Sequence, residues 1–265
     1  MKKITIFDEQ GVSETVGFII IFGIVMTGIG MVTLLGYPAL LQQQQEANIR
    51  NMEKTLIVLQ TDLNSIAFKN VPYQETTVQV SGGTLSILKD LPDRPYFSLQ
   101  IPGVGERVFR TGKLKYISDD GTTISLENGA VVKRYNGIEG SVMISKPRWF
   151  YDSTTHTVVI PMITINGSQD FSQTGIGTVS MKLTDIHEFS YNIADETQTS
   201  ISYYNYIEDD YYRAWEQYLS SPELPLIVED QNRPFSMRYN FGRDPISMPV
   251  EKLVIKNYNI TFISL

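Results

Sequence analysis

Side chains able to do chemistry are scarce in this chain. It has no cysteine and only two histidines, His156 and His187. Thiolate zinc sites, thiol nucleophiles, disulfides and cysteine-linked lipids are therefore excluded. Each histidine stands alone in the sequence, and no G-x-S-x-G, H-E-x-x-H or phosphate-loop pattern occurs. An enzyme here would need a polar cleft converging on one of the two imidazoles, so the expectation is a protein with no catalytic role, no cofactor and no metal. Glu208-Asp209-Asp210 offers the hard oxygen ligands that calcium takes. No alternating ligand loop accompanies it, and it precedes a helical pattern whose free N–H groups acidic side chains would cap. Capping is the preferred reading. Asp119-Asp120-Gly121 reads as a hairpin turn. Asn166-Gly167-Ser168 and Asn259-Ile260-Thr261 make Asn166 and Asn259 possible N-glycosylation sites.

The elements that must carry these residues are of two kinds. The first is a membrane segment. No charged residue occurs between Glu14 and Glu46, and residues 16–35 are apolar on every face. Twenty helical residues rise about 30 Å, the thickness of a bilayer's hydrocarbon core. A cleaved secretory signal would be shorter and end in small residues at its cut, and a soluble core helix is rarely apolar all round. A retained membrane helix is predicted. Lys2 and Lys3 precede it while Arg50 and Lys54 follow it, so positive charge barely sets the orientation. A short tail before a single anchor places the N-terminus inside and the long C-terminal part outside. Pro38 is a candidate for a kink. Gly23-x-x-x-Thr27 is a small-residue pair suited to close helix approach, against a background of glycine enrichment ordinary in membrane spans.

Beyond the glutamines at 42–45 the helical pattern resumes. Ile49, Met52, Leu56, Leu59, Leu63 and Ile66 repeat at spacings of three and four, a seam that either lies on the chain's own globular part, the favoured reading, or meets copies of itself. The helix should stop near Pro72. From Gln74 the period changes to two: Val78/Val80, Leu85/Ile87, Leu114/Tyr116, Ile124/Leu126, Val142/Ile144 and Val179/Met181/Leu183 alternate with polar neighbours. Gly82-Gly83, Asp119-Asp120-Gly121, Glu127-Asn128-Gly129 and Asn136-Gly137 are read as the turns between them. Pro161 should break or bulge a strand, or lie on an edge. Leu253/Ile255 and Ile260/Phe262 are in opposite phase, which predicts a bulge near Asn257. One short helix is expected around residues 211–219, its aromatic face pinned on a sheet. The fold class is α+β: a long N-terminal helix followed by an antiparallel β-sandwich-like domain with one short inserted helix. A net charge of −7 argues against a nucleic-acid partner.

The junction Gly11-Val12-Ser13-Glu14-Thr15-Val16-Gly17-Phe18 resembles the class III signal peptides of archaeal type IV pilins and pilin-like proteins, and in particular an uncharacterised archaeal group beginning with this Val-Ser-Glu-Thr-Val-Gly-Phe segment. The segments at 127–132, 140–145 and 214–218 are also similar to that group, more loosely. The resemblance implies a leader at 1–11, a membrane helix at 12–41, a helical stalk at 42–72 and an extracytoplasmic β-rich domain at 73–265. It implies that a prepilin-peptidase-like protease cuts between Gly11 and Val12, although Gln10 stands where family leaders often carry a charge. It further implies assembly with other pilin-like subunits or envelope components, for which Glu14 and, from the small-residue spacing alone, Gly23 and Thr27 are the candidate residues. A carboxylate at the mouth of a membrane helix is costly unless paired, and a new α-amine at Val12 would be its partner in a neighbouring subunit; capping of the helix by Ser13 and Glu14 is the alternative. The functional expectation is a membrane-anchored surface protein, a minor subunit of a type IV pilus-like filament. The alternative is a single-span envelope-binding protein that does not polymerise.

Overall fold

The computed structural model describes residues 9–69, 71–89, 95–167, 172–193, 199–205, 211–232, 235–241 and 248–264, with side chains from Thr15 onward. The chain divides into two compact units, Met1–Ala47 and Asn48–Leu265.

The first unit is helical. Helix α1 spans Glu9–Met31, a π-helical turn follows at Val32–Gly36, and α2 runs over Tyr37–Phe68, its later part belonging to the second unit. In the π turn the Tyr37 N–H donates to the Val32 carbonyl, five residues back. Pro38 comes next. It has no N–H, and its ring crowds the carbonyl four residues before it, so a widened turn immediately ahead is where the ladder absorbs the mismatch. The irregularity expected at Pro38 therefore takes the form of a π turn.

The second unit has three layers. The described strands are β1 Tyr73–Leu88, β2 Tyr96–Ile101, β3 Gly105–Arg110, β4 Lys113–Ser118, β5 Thr123–Glu127, β6 Ala130–Arg134, β7 Val142–Ser145, β8 Phe150–Asp152, β9 Thr157–Gly167, β10 Ser172–Asn192, β11 Ser200–Tyr204, β12 Leu226–Asn232, β13 Ser236–Phe241 and β14 Lys252–Ser264, with helix α3 at Tyr212–Leu219. They form a nine-stranded sheet ordered β7-β6-β5-β4-β1-β10-β14-β9-β8 and a five-stranded sheet ordered β12-β13-β11-β2-β3. Pairing is antiparallel except between β14 and β9, which run parallel from Lys252↔Thr157 to Phe262↔Gly167. The class is α+β, with a largely antiparallel β domain and one short helix.

Both faces of the large sheet are buried, and the alternation of side chains shows how. Val131 packs with the α2 seam, while its neighbours Ala130 and Val132 pack with the five-stranded sheet and α3. One core therefore lies between α2 and the large sheet, and a second between the two sheets. Ile49, Met52, Leu56, Leu59, Leu63 and Ile66 are all buried in the first, so the heptad-like seam lies on the chain's own domain. Each such side chain contributes roughly 1.5–3 kcal/mol of apolar burial.

Two expectations need correction, and a third resolves to one of its alternatives. Gly82-Gly83 is not a hairpin turn: β1 runs through it as one strand, changing partner from β10 to β4 across a register shift between Val80 and Leu85. The shift flips side-chain parity, so Val78, Val80, Leu85 and Ile87 all keep facing α2. Asn257 carries no bulge. The strand is regular against β9, and the register against β10 shifts elsewhere, between Leu183 and Asp185 and again between Ser180 and Met181. The change of phase in β14 has another cause: Leu253 and Ile255 face the sandwich core, whereas Tyr258, Ile260 and Phe262 face the helix-side core. At Pro161 the edge alternative holds, and β9 is neither broken nor bulged. The proline lies past the last β8 pair, Phe150↔Val159, where that side of the strand has no partner strand.

Candidate functional site

The apolar helix is one candidate surface. Its most apolar 18-residue window has mean hydropathy 2.5, and none of that window is buried, which separates it from a core helix such as the seam of α2. A Cβ placed on Gly23 would meet nothing. The Thr27 hydroxyl donates to the Gly23 carbonyl at 2.7 Å, and Thr33 donates likewise to Ile29 at 2.9 Å. Both hydroxyl protons are thus satisfied inside the helix, as apolar surroundings require. Gly23 and Thr27 form an open, shallow spot on the helix. Gly11, Val12 and Glu14 lie in the helical backbone of α1.

A second concentration of polar groups is sealed inside the sandwich. Lys113, opening β4, pairs with Glu127, closing β5, at 3.0 Å, with both side chains about 95 % or more buried. Trp215 of α3 donates its indole N–H to Glu127 at 2.5 Å, and the Lys113 ammonium sits 4.8 Å from the Tyr211 ring centroid. The Tyr211 hydroxyl is bonded to Ser125 at 2.8 Å and donates to Thr123 at 3.0 Å. Burial pushes its pKa up to about 12, with the Lys113 charge opposing. Every partner is another protein group, and the adjoining cavity has about 10 Å³ of room. This network fixes the seat of α3 and has no space for a substrate. The start of α3 is tied from elsewhere in the chain: the Ala214 N–H donates to the Ser141 hydroxyl at 3.1 Å. The Glu208-Asp209-Asp210 triplet expected to cap it lies outside the described residues. Tyr211, Trp215, Tyr218 and Leu219 are buried against the sheets as the aromatic-face reading expects.

The open recesses of the second unit follow from how its layers are staggered. On β14 the sandwich covers Leu253 and Ile255, and α2 covers Tyr258 to Phe262, so each face is bare where the other is covered. On the helix side, beyond Phe68, an apolar groove of about 760 Å³ opens over Val159, Pro161, Ile186 and Phe150, edged by Arg148 and the Lys256–Glu188 ion pair at 3.1 Å. On the sandwich side, the bare residues are Asn257, Asn259 and Thr261, and β3 forms the opposite wall of a polar cleft. Asn166 and Asn259, far apart in sequence, both line this cleft of about 470 Å³. An adjoining recess of about 450 Å³ includes His187.

His187 is thus the histidine beside a polar cleft. Its Nε2 lies 3.4 Å from an Asp185 carboxylate oxygen, both groups being about half exposed. Among the described residues no hydroxyl is bonded to it, so a nucleophile–base pair is not assembled there. His156 lies in a turn at positive φ, 48°, and its Nδ1 is 3.0 Å from Glu251. Among the described residues no three His, Asp or Glu side chains stand close enough to hold a metal ion. Sequence reasoning did not find the cleft, because its two sides, β3 ending at Arg110 and β14 starting at Lys252, are far apart in the chain.

Residues 10–235 match a family of unknown function, DUF7289. The chain belongs to that family. It is also 29 % identical over 85 residues to an uncharacterized protein of Archaeoglobus fulgidus, a stretch that covers 32 % of this chain and 28 % of the relative. The match therefore spans little more than a quarter of that relative's length. No solved structure matches the chain.

Proposed function

We propose that this member of the DUF7289 family is a non-enzymatic, pilin-like surface protein, held in the cell membrane by its first helix and serving as a minor subunit of a type IV pilus-like filament. The single observation that supports it is the exposed apolar helix with an open Gly23 and an internally satisfied Thr27. A helix of this kind suits lipid first and other helices afterwards, because small residues let backbones approach and no polar group is left bare. In this reading the N-terminus is cytoplasmic, the β-rich unit is extracytoplasmic, and a prepilin-peptidase-like protease removes residues 1–11 as a class III signal peptide. The α-amine created at Val12 then pairs with Glu14 of a neighbouring subunit and sets the axial register.

Mass spectrometry of the protein extracted from membranes tests the reading directly. A mature chain beginning at Val12 is the expected result. A chain that keeps Met1, in cells whose cross-linked membranes yield only monomer, overturns the reading in favour of a simple single-span anchor. Glu14→Ala should leave surface display intact while abolishing cross-linked multimers; multimers at the ordinary level would remove the registration step.

A further inference from the structure

We propose that the polar cleft between β3 and the bare half of β14 binds a saccharide chain. Its floor is a patch of three amides and a carboxylate on three adjacent strands. Asn257 and Asn259 lie on β14, Asn166 on β9, and Asp185 on β10 directly opposite Asn259 in the ladder. Asn166 is the register partner of Thr261. Asparagine is disfavoured inside strands, where threonine would serve a merely solvated face. Three in one patch, two of them in a strand paired on both sides, is a composition that sheet stability does not ask for.

The hydrogen bonds leave the three amides available, whereas Asp185 is partly engaged: one carboxylate oxygen accepts from the Ile186 N–H at 2.8 Å and the other lies 3.4 Å from His187. The single Thr164 hydroxyl proton is shared between the Asn257 side-chain oxygen at 3.2 Å and the Arg110 carbonyl at 3.3 Å, and among the described residues nothing accepts from the two Asn257 amide N–H donors. Among the described residues, the side chains of Asn166 and Asn259 make no hydrogen bond at all. Thr184 and Thr261 bond each other at 2.6 Å, which stiffens the floor beside them. The opposite wall is held as firmly, with the Arg107 guanidinium 4.5 Å from the Phe189 ring centroid and that of Arg110 5.6 Å from Tyr96.

These features select the ligand. A planar amide offers a donor beside an acceptor, and a carboxylate two acceptors, at the spacing of vicinal hydroxyls. The cleft mixes Arg107 and Arg110 with Asp185 and Glu106, so a strongly anionic or cationic partner would meet its own sign. The exposed Val108 supplies an apolar contact for the C–H face of a pyranose ring, while Phe109 is buried in the sandwich core. A recess of about 470 Å³ continuing into a second of about 450 Å³ suits two or three sugar units rather than one. The site is independent of whether the protein polymerises, and it treats Asn166 and Asn259 as binding groups rather than as attachment points.

The test uses the full chain in detergent, titrated calorimetrically with maltotriose, mannotriose, galactotriose and chitotriose. At least one should bind saturably, with a dissociation constant near or below about 1 mM. The double variant N257A/N259A should weaken it by about tenfold or more, since each amide contributes one or two hydrogen bonds, while Lys256→Ala on the other face leaves it unchanged. Hydroxyl-radical footprinting of the unaltered protein gives a second reading that needs no variant: the bound trisaccharide should protect residues 257–261 and 107–110. Failure of all four sugars to bind up to about 10 mM, binding undiminished in the double variant, or protection elsewhere overturns the proposal. So does a covalent glycan found on Asn259 or Asn166, which would fill the cleft itself.

Discussion

Glu127 accepts from a buried ammonium and a buried indole at once, and the cost of disturbing it is set by what is left unpaired. Lys113→Met strands a carboxylate in the sandwich and should destabilise the globular unit by about 3–5 kcal/mol. The double replacement K113M/E127L removes both charges and should recover most of that, keeping a deficit of about 1 kcal/mol for the lost indole bond. Urea unfolding followed by tryptophan emission reads this cleanly, because Trp149 and Trp215, the chain's two tryptophans, both lie in the sandwich core. Tyrosines supply the pH dependence. Tyr116 donates to the carbonyls of Ser81 and Gly82 and is raised to about 12, first by burial and then by the nearby charges of Asp119 and Asp120. Tyr211 is raised to about 12 by burial. An unfolded tyrosine ionises near 10, so above that pH the unfolded chain sheds protons that the folded chain holds. The contribution of both groups is complete below about pH 10 and is lost as the pH climbs through about 12. Stability measured across that window should fall, and Y116F or Y211F should each make the fall shallower. An equal slope in the variants would show that other groups govern it.

At the scale of elements, what holds each piece is a mixture of pattern and close approach. Gln60, on the buried side of α2, donates to the carbonyls of Gly129 at 2.6 Å and Lys146 at 3.1 Å, tying the helix to the β5–β6 turn and the segment after β7. Gly83 lies where a Cβ would stand 2.3 Å from the Ile117 carbonyl oxygen and 2.7 Å from the Ser118 Cα. These are backbone atoms of the paired strand and cannot yield cheaply. Gly83→Ala should cost about 3 kcal/mol, the upper end for overpacking. Gly137→Ala, in a turn at φ 72° with nothing near its Cβ, should cost about 1–2 kcal/mol from backbone strain alone. Equal midpoints for the two variants in urea would contradict the steric argument. The same glycine pair shows where sequence reading stops. Alternation of Val78/Val80 and Leu85/Ile87 was legible as strand, and the seam from Ile49 to Ile66 was legible as one buried helix face. Two adjacent glycines look the same whether the chain reverses or merely bends past a neighbour; only the neighbour decides. The tie between α3 and Ser141 was equally hidden, since it spans more than 70 residues. Of the candidate surfaces, the apolar helix with Gly23 and Thr27 could be read directly, because lipid or helix contact needs only local composition. The cleft could not, because a parallel β9–β14 pairing leaves no local trace.

For the whole molecule, the central fact is that β14 and β9 serve two cores at once. Ile255 belongs to the sandwich core and Ile260 to the helix-side core, five residues apart on opposite faces of one strand. A strand cannot leave one core while remaining registered in the other, since β14 is hydrogen-bonded to β10 on one side and β9 on the other along its length. The globular unit should therefore unfold as one cooperative body despite having two separate apolar clusters. Ile260→Ala lies in the core that contains neither tryptophan. It should nevertheless lower the midpoint of the tryptophan-detected transition by as much as the midpoint seen by far-ultraviolet circular dichroism, with a loss of about 2–5 kcal/mol, the range for deleting a buried isoleucine side chain to alanine. Ile255→Ala should behave in the same way. If Ile260→Ala instead splits the two signals, with helix-side structure melting ahead of the tryptophans, the cores are separable. The stagger of the layers, which opens the apolar groove on one face and the amide-lined cleft on the other, would then be a contact between two folding units and not a property of one.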